Sequence, residues 1–340
     1  MFPACLLCLR IDLLKAFGYD VAASSKSYLL LNMDSKSKIA SNGKTEPKPG
    51  LRFDRLVSLG LIRPVRQVFP RKAQRRIPIL MYHSIQEGTS DRRPYYDINT
   101  SPARFAQQMK FLRDHGYRAV HLQEARTLLE RDSWDSQYVV ITFDDGYRDF
   151  LTAACPIMAE FNHTAVLFVP SGLIQDERAH FLERECLTWS EIRELHANGI
   201  EIGSHSVTHC ELKFLRTPAL EGEVAHSKQT IEDKIGHPVT SFSYPYAFPE
   251  TEVAFSQTLR KLLEKHGYQN GVTTIIGRSG PDSDRLLLPR LPVNSSDDIA
   301  LFRAKLEGHY DWLHAAQYLA KTIRRSARPR QEPATIEVSS

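Results

Sequence analysis

Eight short apolar runs, rich in β-branched and aromatic residues, recur between positions 77 and 293, with helix signals between them. The runs are 77–82, 117–122, 138–143, 164–169, 200–203, 239–244, 271–276 and 286–293. Each is too short to be a helix of ordinary length, and continuous apolarity over six or so residues fits a strand buried on both faces. Helix starts and stops fall in the gaps. Ser101-Pro102 pairs an N-cap with proline at the first turn; Phe105, Met109 and Leu112 follow on one face, and Gly116 is the stop. Thr188-Trp-Ser-Glu191 is a capping box, with its stop at Asn198-Gly199. Strand and helix in alternation predict a parallel α/β fold, and about eight strands suit a closed barrel.

The chemistry-bearing residues stand at the ends of two of these runs. Tyr138-Val-Val-Ile-Thr-Phe-Asp-Asp-Gly146 closes an apolar strand on two carboxylates and a turn glycine. Two like charges at a strand end need a positive partner to offset desolvation and mutual repulsion. About sixty residues on, Gly203-Ser-His-Ser-Val-Thr-His209 supplies neutral nitrogen ligands. If the chain turns into a helix after Ser204, His205 and His209 stand one turn apart on one face. One carboxylate and two imidazoles make an open three-ligand metal site of the water-activating kind, and the second carboxylate is left to act as a base. Either segment alone is weak, since an Asp-Asp-Gly is more often a turn and a His-x-x-x-His spacing arises by chance. Together, at strand ends, they point to a site, because α/β proteins place chemistry at the carboxyl ends of their strands.

Three segments resemble a known family. Thr142-Phe-Asp-Asp-Gly-Tyr147, His205-Ser-Val-Thr-His209 and Phe242-Ser-Tyr-Pro-Tyr246 are similar, in this order, to signature motifs of the polysaccharide deacetylases, the NodB-homology or carbohydrate esterase family 4 enzymes. The resemblance runs from about position 77 to about 308. It implies a distorted (β/α) barrel and metal-dependent removal of N-acetyl groups from amino sugars in a glycan. It also implies roles: Asp145, His205 and His209 as metal ligands, Asp144 as base, and the Tyr246 backbone amide as oxyanion donor. Mixed imidazole and carboxylate ligands suit zinc, with cobalt or nickel as alternatives.

The family's usual late histidine is missing from 286–293. His83 instead ends the first strand, which resembles a circularly permuted branch with the acid-bearing strand first. In a barrel the first and last strands are neighbours, so His83 can serve as the proton donor. The alternative is a strand-end histidine bound to backbone. Much of the family carries an arginine near the start of the third motif, paired to the base; this chain has Ser243 there. Arg290 is the candidate substitute, grouped with Tyr246 on the substrate side of the site, and an ordinary structural ion pair is the competing reading. Ala247 stands where glycine is frequent, a mild change provided its φ is negative. Tyr95, Tyr96, Trp189 and Tyr246 are candidates to stack on sugar rings, although aromatic residues are more often core.

Composition bounds the remainder. The 340 residues are 42% hydrophobic and 25% charged, with a formal net charge of +4, too small to argue for nucleic acid. No apolar run reaches the eighteen or so residues of a membrane span. The start lacks a basic n-region and makes a poor signal peptide. That argues for the cytoplasm, whereas the resembled family works mostly outside it. Five scattered cysteines are no disulfide framework. Cys5-x-x-Cys8 reads as two small apolar residues in a leader, and Cys210 as a packed thiol or a soft ligand beside His209. Four segments are expected: an extension and linker over 1–50, a basic lead-in over 51–76, the catalytic domain over 77–323, and a polar tail over 324–340. The lead-in mixes arginines with apolar residues, as a helix docked on the domain or a membrane-surface segment would. A glycan-binding domain without activity, a glycan O-deacetylase and a small cyclic amide hydrolase are the alternative functions.

Overall fold

One strand organises the sheet by changing partners halfway along. In the computed structural model, which describes residues 52–69, 75–88, 97–131 and 134–327, the strands in chain order are β1 (Ile79–Tyr82), β2 (Ser84–Ile85), β3 (Asn99–Thr100), β4 (Tyr117–Ala119), β5 (Gln137–Phe143), β6 (Val166–Val169), β7 (His180–Phe181), β8 (Arg184–Glu185), β9 (Glu201–Ser204), β10 (Ser241–Ser243), β11 (Asn270–Ile276) and β12 (Leu288–Pro292). The first half of β5 pairs with β4, Tyr117 opposite Gln137 and Ala119 opposite Val139. From Val140 to Phe143 the same strand pairs with β1. The order β1-β12-β11-β10-β9-β6-β5, closed by the β1–β5 pairing, makes a parallel barrel of seven strands.

The eighth expected strand is β4, and it lies outside the ring on the edge of β5. It is three residues long and only partly buried, and Leu122 already begins the next helix, Leu122–Glu130. A strand this short and half-wet cannot compete with β1, whose four residues are mostly sealed, for the upper half of β5. The last strand, β12, pairs with β1, with Leu80 opposite Leu291.

The helices begin and end where local chemistry directs. Ser101 Oγ accepts from Arg104 N at the head of Pro102–Asp114, and Phe105, Met109 and Leu112 are buried on its inner face. From the helix Leu122–Glu130, Leu122, Ala125 and Leu128 join a core cluster with Ile79, Val140, Val166, Phe168, Val272 and Leu288 of the barrel. The helix Trp312–Ala327 runs four residues past the expected start of the tail. Its sequence holds no glycine or proline until Pro329, and the residue before a proline is steered out of the helical region.

The chain divides into two units, Met1–Val57 and Ser58–Ser340. The first is described only from Arg52, whose guanidinium forks to Asp54 at the start of the helix Phe53–Val57. In the second, Trp312 Nε1 donates to the buried Ser58 Oγ, and the helix Arg63–Val68 follows. The expectations for 1–50, Cys5-x-x-Cys8 and most of the tail fall outside the described residues. Among those described, no helix is long and apolar enough to cross a membrane.

The capping box at Thr188 is present in both directions and its glutamate does more than cap. Glu191 Oε2 accepts from Thr188 N at 2.9 Å, and its carboxylate receives both Nη atoms of Arg178 at 2.7 Å and Arg148 Nε at 3.1 Å. The Arg178 fork holds the Glu191 pKa down at about 2. A carboxyl depressed on folding stabilises the protein above its unfolded value, and the contribution fades as pH falls toward the folded value. Glu191→Ala is expected to cost about 1–3 kcal/mol at pH 7. In urea melts, the gap between variant and wild type should shrink as the pH is lowered from 5 toward 3. A gap independent of pH would show that the charge is not what stabilises.

Candidate metal centre

All the predicted polar site residues except Arg290 sit at or just beyond the carboxyl ends of barrel strands. His83 follows β1, Asp144 and Asp145 follow β5, His205 follows β9, and Tyr246 follows β10 by three residues. Arg290 is the third residue of β12 and projects into the barrel interior with 0% exposure.

The two aspartates face different partners because the backbone turns between them. Asp145 and Gly146 both adopt left-handed φ, +73° and +66°. Aspartate tolerates that region better than most residues, and glycine occupies it freely. The reversal separates the carboxylates. Asp145 Oδ1 lies 3.1 Å from His209 Nε2 and 3.5 Å from His205 Nε2. Ligand atoms around a tetrahedral ion at zinc–nitrogen distances stand about 3.3 Å apart. Asp145 Oδ1 is buried and makes no hydrogen bond to either ring. Three donor atoms within 4.8 Å of one another, with no proton shared at the carboxylate, form a cradle that fits a divalent cation.

The histidines are aimed by two different means. His205 Nδ1 donates to the Ser243 carbonyl at 2.8 Å, so the proton is fixed on Nδ1 and the Nε2 lone pair is left for the metal. His209 has no such partner: its Nδ1 is buried and unsatisfied. Packing holds that ring instead, with Phe181 at 5.1 Å and Tyr246 at 4.8 Å between centroids. The expected helix after Ser204 does not form. The segment is a turn with Ser206 and His209 at φ +65° and +55°. Ser206 Oγ accepts from His209 N, and Glu223 accepts from the amides of Val207 and Thr208 and from the Thr208 hydroxyl. Left-handed residues and a carboxylate cap bring the imidazoles together where a helical turn was predicted.

Asp144 is 2% exposed and meets Arg290 squarely. Arg290 Nη1 donates to Oδ1 at 2.9 Å and Nη2 to Oδ2 at 2.8 Å. The remaining three guanidinium protons go to Thr273 O, Thr142 Oγ1 and Ser243 Oγ. Burial pushes the Asp144 pKa up; the charge and hydrogen bonds of Arg290, together with the nearby His205 and His83, outweigh it and hold the carboxyl below the usual range. Ser243 also donates to Asp144 Oδ1 at 3.2 Å. With all its donors consumed and no exposed surface, Arg290 lies behind Asp144 and not on the substrate side on which it was grouped. His83 Nε2 lies 4.0 Å from Asp144 Oδ2 on the open side. Burial draws the His83 pKa down, and the charges of Asp145 and Asp144 offset only part of this, so the ring stays below the usual histidine value.

The outer residues divide clearly. Tyr246 is 50% exposed, with φ +58°. Ala247 is not among the left-handed residues, so the strain at this corner sits on Tyr246. Trp189 is 2% exposed and packs as core at the head of its helix, which removes it as a sugar platform. Tyr95 and Tyr96 lie outside the described residues. Cys210 is a free thiol outside the cluster of ligand atoms. Sequence reasoning missed the β7–β8 hairpin, which brings Phe181 against His209; strands of two residues leave no periodicity to read.

The comparisons with known proteins bear on the family and the fold. A sequence model described as polysaccharide deacetylase matches residues 132–271, a stretch holding Asp144, Asp145, His205, His209 and Tyr246 but neither His83 nor Arg290. YxkH of Bacillus subtilis, named for the same family, is 33% identical over 233 residues, 68% of this chain and 76% of the relative. The chain is a member of the polysaccharide deacetylase family. The poly-beta-1,6-N-acetyl-D-glucosamine N-deacetylase of Escherichia coli K12 is 30% identical over 138 residues, 37% of this deacetylase but only 20% of the relative. Among solved structures, the deacetylase PplD of Streptococcus pyogenes superposes with a TM-score of 0.60 at 23% identity, covering 69% of this chain and 99% of that one. IcaB of Ammonifex degensii gives 0.57 at 21% identity, covering 70% and 98%. These two establish the shared barrel.

Removing Arg290 leaves a buried carboxylate uncompensated. Arg290→Met is expected to lower stability by about 3–5 kcal/mol, and adding Asp144→Asn should recover part of the loss. Equilibrium unfolding of the two single variants and the double variant measures the coupling. Additive losses would mean that the pair contributes nothing as a pair.

Proposed function

We propose that this deacetylase hydrolyses N-acetyl groups on amino sugars of a glycan, with one divalent ion, zinc in our reading, held by Asp145, His205 and His209. The observation that carries the reading is the pairing of two unlike carboxylates. Asp145 Oδ1 converges with two imidazole Nε2 atoms, while Asp144 beside it is kept anionic by Arg290. When bound, the ion supplies an electrophile for the acetyl carbonyl and acidifies the attacking water. Asp144 takes the proton from that water. Its depressed pKa keeps it available as a base, and Arg290 and Ser243 fix its oxygens so that the lone pairs face one direction. The Tyr246 backbone amide is our candidate donor to the developing oxyanion.

An amine leaves poorly without a proton, and His83 is the acid in this reading. Its support is position: it ends β1, next to β12, and its Nε2 is 4.0 Å from Asp144. The two groups face the same space from adjacent strands, β1 and β5, one to accept a proton and one to give one. The substrate assignment draws on the N-deacetylase named among the relatives.

Acetate release from N-acetylated oligosaccharides, with zinc, cobalt or nickel added, tests the reaction. His209→Ala should lose metal and activity together; full metal occupancy in that variant would overturn the ligand set. Asp144→Asn should retain metal and lose roughly a hundredfold or more in turnover. If it loses the ion instead, the two aspartates have been assigned in reverse. His83→Ala should slow turnover with metal affinity unchanged and should abolish the alkaline limb of the rate profile, where the acid loses its proton. An activated acetyl ester, whose leaving group needs less help, should suffer less from that substitution. Equal losses on amide and ester would remove His83 from the role.

A further inference from the structure

We propose that Arg184 selects glycans bearing an anionic group, a carboxylate or a phosphate, next to the N-acetyl group under attack. The inference rests on the deacetylase reading above and names a substrate class for the same site.

Backbone pairing places Arg184 beside the metal aspartate. The segment 184–187 runs antiparallel along the Asp145–Arg148 turn. Arg148 N donates to Glu185 O and Leu187 N to Gly146 O, both at 2.9 Å, and Tyr147 forms a bridge with Cys186. The hairpin β7–β8 is reversed at Leu182 and Glu183, with φ +49° and +64°. Phe181 at its other side packs on His209 and stacks on Tyr147 at 6.1 Å. The guanidinium of Arg184 lies over the Tyr147 ring, 5.2 Å from its centroid. His209, Phe181, Tyr147 and Arg184 therefore form one stack, leading from a metal ligand to a cation.

That cation has only a partial counter-charge among the described residues, the nearby Asp149, with which it forms no ion pair. Its neighbours Arg148 and Arg178 are paired with Glu185 and Glu191, which occupies those two acids. Asp149 is bound by Ser84 Oγ and Ile85 N. Arg184 makes no ion pair among the described residues, and its one hydrogen bond goes from Nη2 to Asn99 Oδ1 at 2.8 Å. Its Nε is buried and donates to nothing, and the Tyr147 hydroxyl, also buried, has no partner. A half-buried guanidinium with idle donors is an unfinished site. Its planar fork matches two oxygens of one carboxylate or phosphate. A ligand oxyanion at Nη1, which makes no hydrogen bond among the described residues, would neutralise the charge, which the neutral face of an unsubstituted amino sugar cannot do.

The test compares zinc-loaded wild type with Arg184→Gln and Asn99→Asp on three substrates: a neutral chitooligosaccharide, an alternating N-acetylglucosamine–N-acetylmuramic acid strand, and a phosphate-substituted N-acetylated oligosaccharide. Wild type should favour one of the charged substrates over the neutral one in kcat/KM, and which one distinguishes carboxylate from phosphate. Arg184→Gln should reduce that ratio by about tenfold, chiefly through KM. Asn99→Asp, which keeps the arginine and gives it an internal partner, should reduce it as well, so the question survives a misfolded glutamine variant. A wild-type ratio near one, or a ratio unmoved by both substitutions, would overturn the proposal. If no acetate is released from any substrate, the deacetylase reading fails instead. Equilibrium binding of the same three oligosaccharides then decides the role of Arg184: tighter binding of a charged one, lost in Arg184→Gln, supports it, and equal binding rejects it.

Discussion

Everything in the catalytic end of this barrel depends on one buried ion pair. Arg290 carries five N–H donors into a space with no exposure, and all five find acceptors. The acceptors come from β5 and its end, from β10 and from β11, so a side chain of β12 ties four of the seven strands at one point. A guanidinium buried with fewer partners would be a heavy cost; with a full set it becomes a rigid polar plug in an otherwise apolar interior. Asp144 gains from the same arrangement. Its charge is retained in a desolvated site, its oxygens have fixed directions, and the adjoining Asp145 turns away toward the histidines.

The rigidity below contrasts with strain above. Seven non-glycine residues among those described have left-handed φ, and Asp145, Ser206, His209 and Tyr246 are four of them. Such conformations cost of order 1–3 kcal/mol each and persist only where the surroundings impose them. Here the surroundings are identifiable. Gly146 completes the turn after Asp145, and a Cβ there would approach Ile174 to 3.1 Å. Glu223 caps the His205–His209 turn. The Tyr246 carbonyl accepts from Thr274 on β11. The barrel supplies the free energy that holds these three corners of the candidate site in positions a relaxed chain would avoid.

The barrel strands were legible because parallel strands buried on both faces appear as unbroken apolar runs, and β5, with six consecutive buried residues, is the clearest. What a run does not encode is its neighbour. The 117–122 run reads like the others, yet whether β4 enters the ring depends on β1 taking the upper half of β5, a choice between segments far apart in sequence. The Asp145–His205–His209 cluster could be picked out from its motifs, whereas the turn that brings it together could not: Ser206 and His209 are unremarkable residues until Glu223, on the next helix, captures the amides between them. Arg290 could be named as a partner for the base, but its contact spans 146 residues. Only the barrel closure shows that it lies behind Asp144, away from substrate. The β7–β8 hairpin defied reading outright, since its reversal uses Leu182 and Glu183 where asparagine or glycine is the usual signal.

The two arginines flanking the aspartate pair show how one residue type acquires opposite uses from packing alone. Arg290 is sealed and saturated, so its charge acts on Asp144 and on nothing that diffuses in. Arg184 stands on the rim of the same turn, stacked on the tyrosine that follows the aspartates, with Asp149 near it but no ion pair among the described residues. A cation with all its donors satisfied acts on the carboxylate beside it; a cation with an idle donor on the rim is open to a ligand. The difference follows from where each side chain enters. Arg290 comes from inside a strand whose neighbours present carbonyls and hydroxyls, and Arg184 from a two-residue strand whose neighbour is an aromatic face. In this fold the barrel interior therefore sets the charge state of Asp144, while the short irregular segments around its mouth carry the groups that we propose tell one glycan from another.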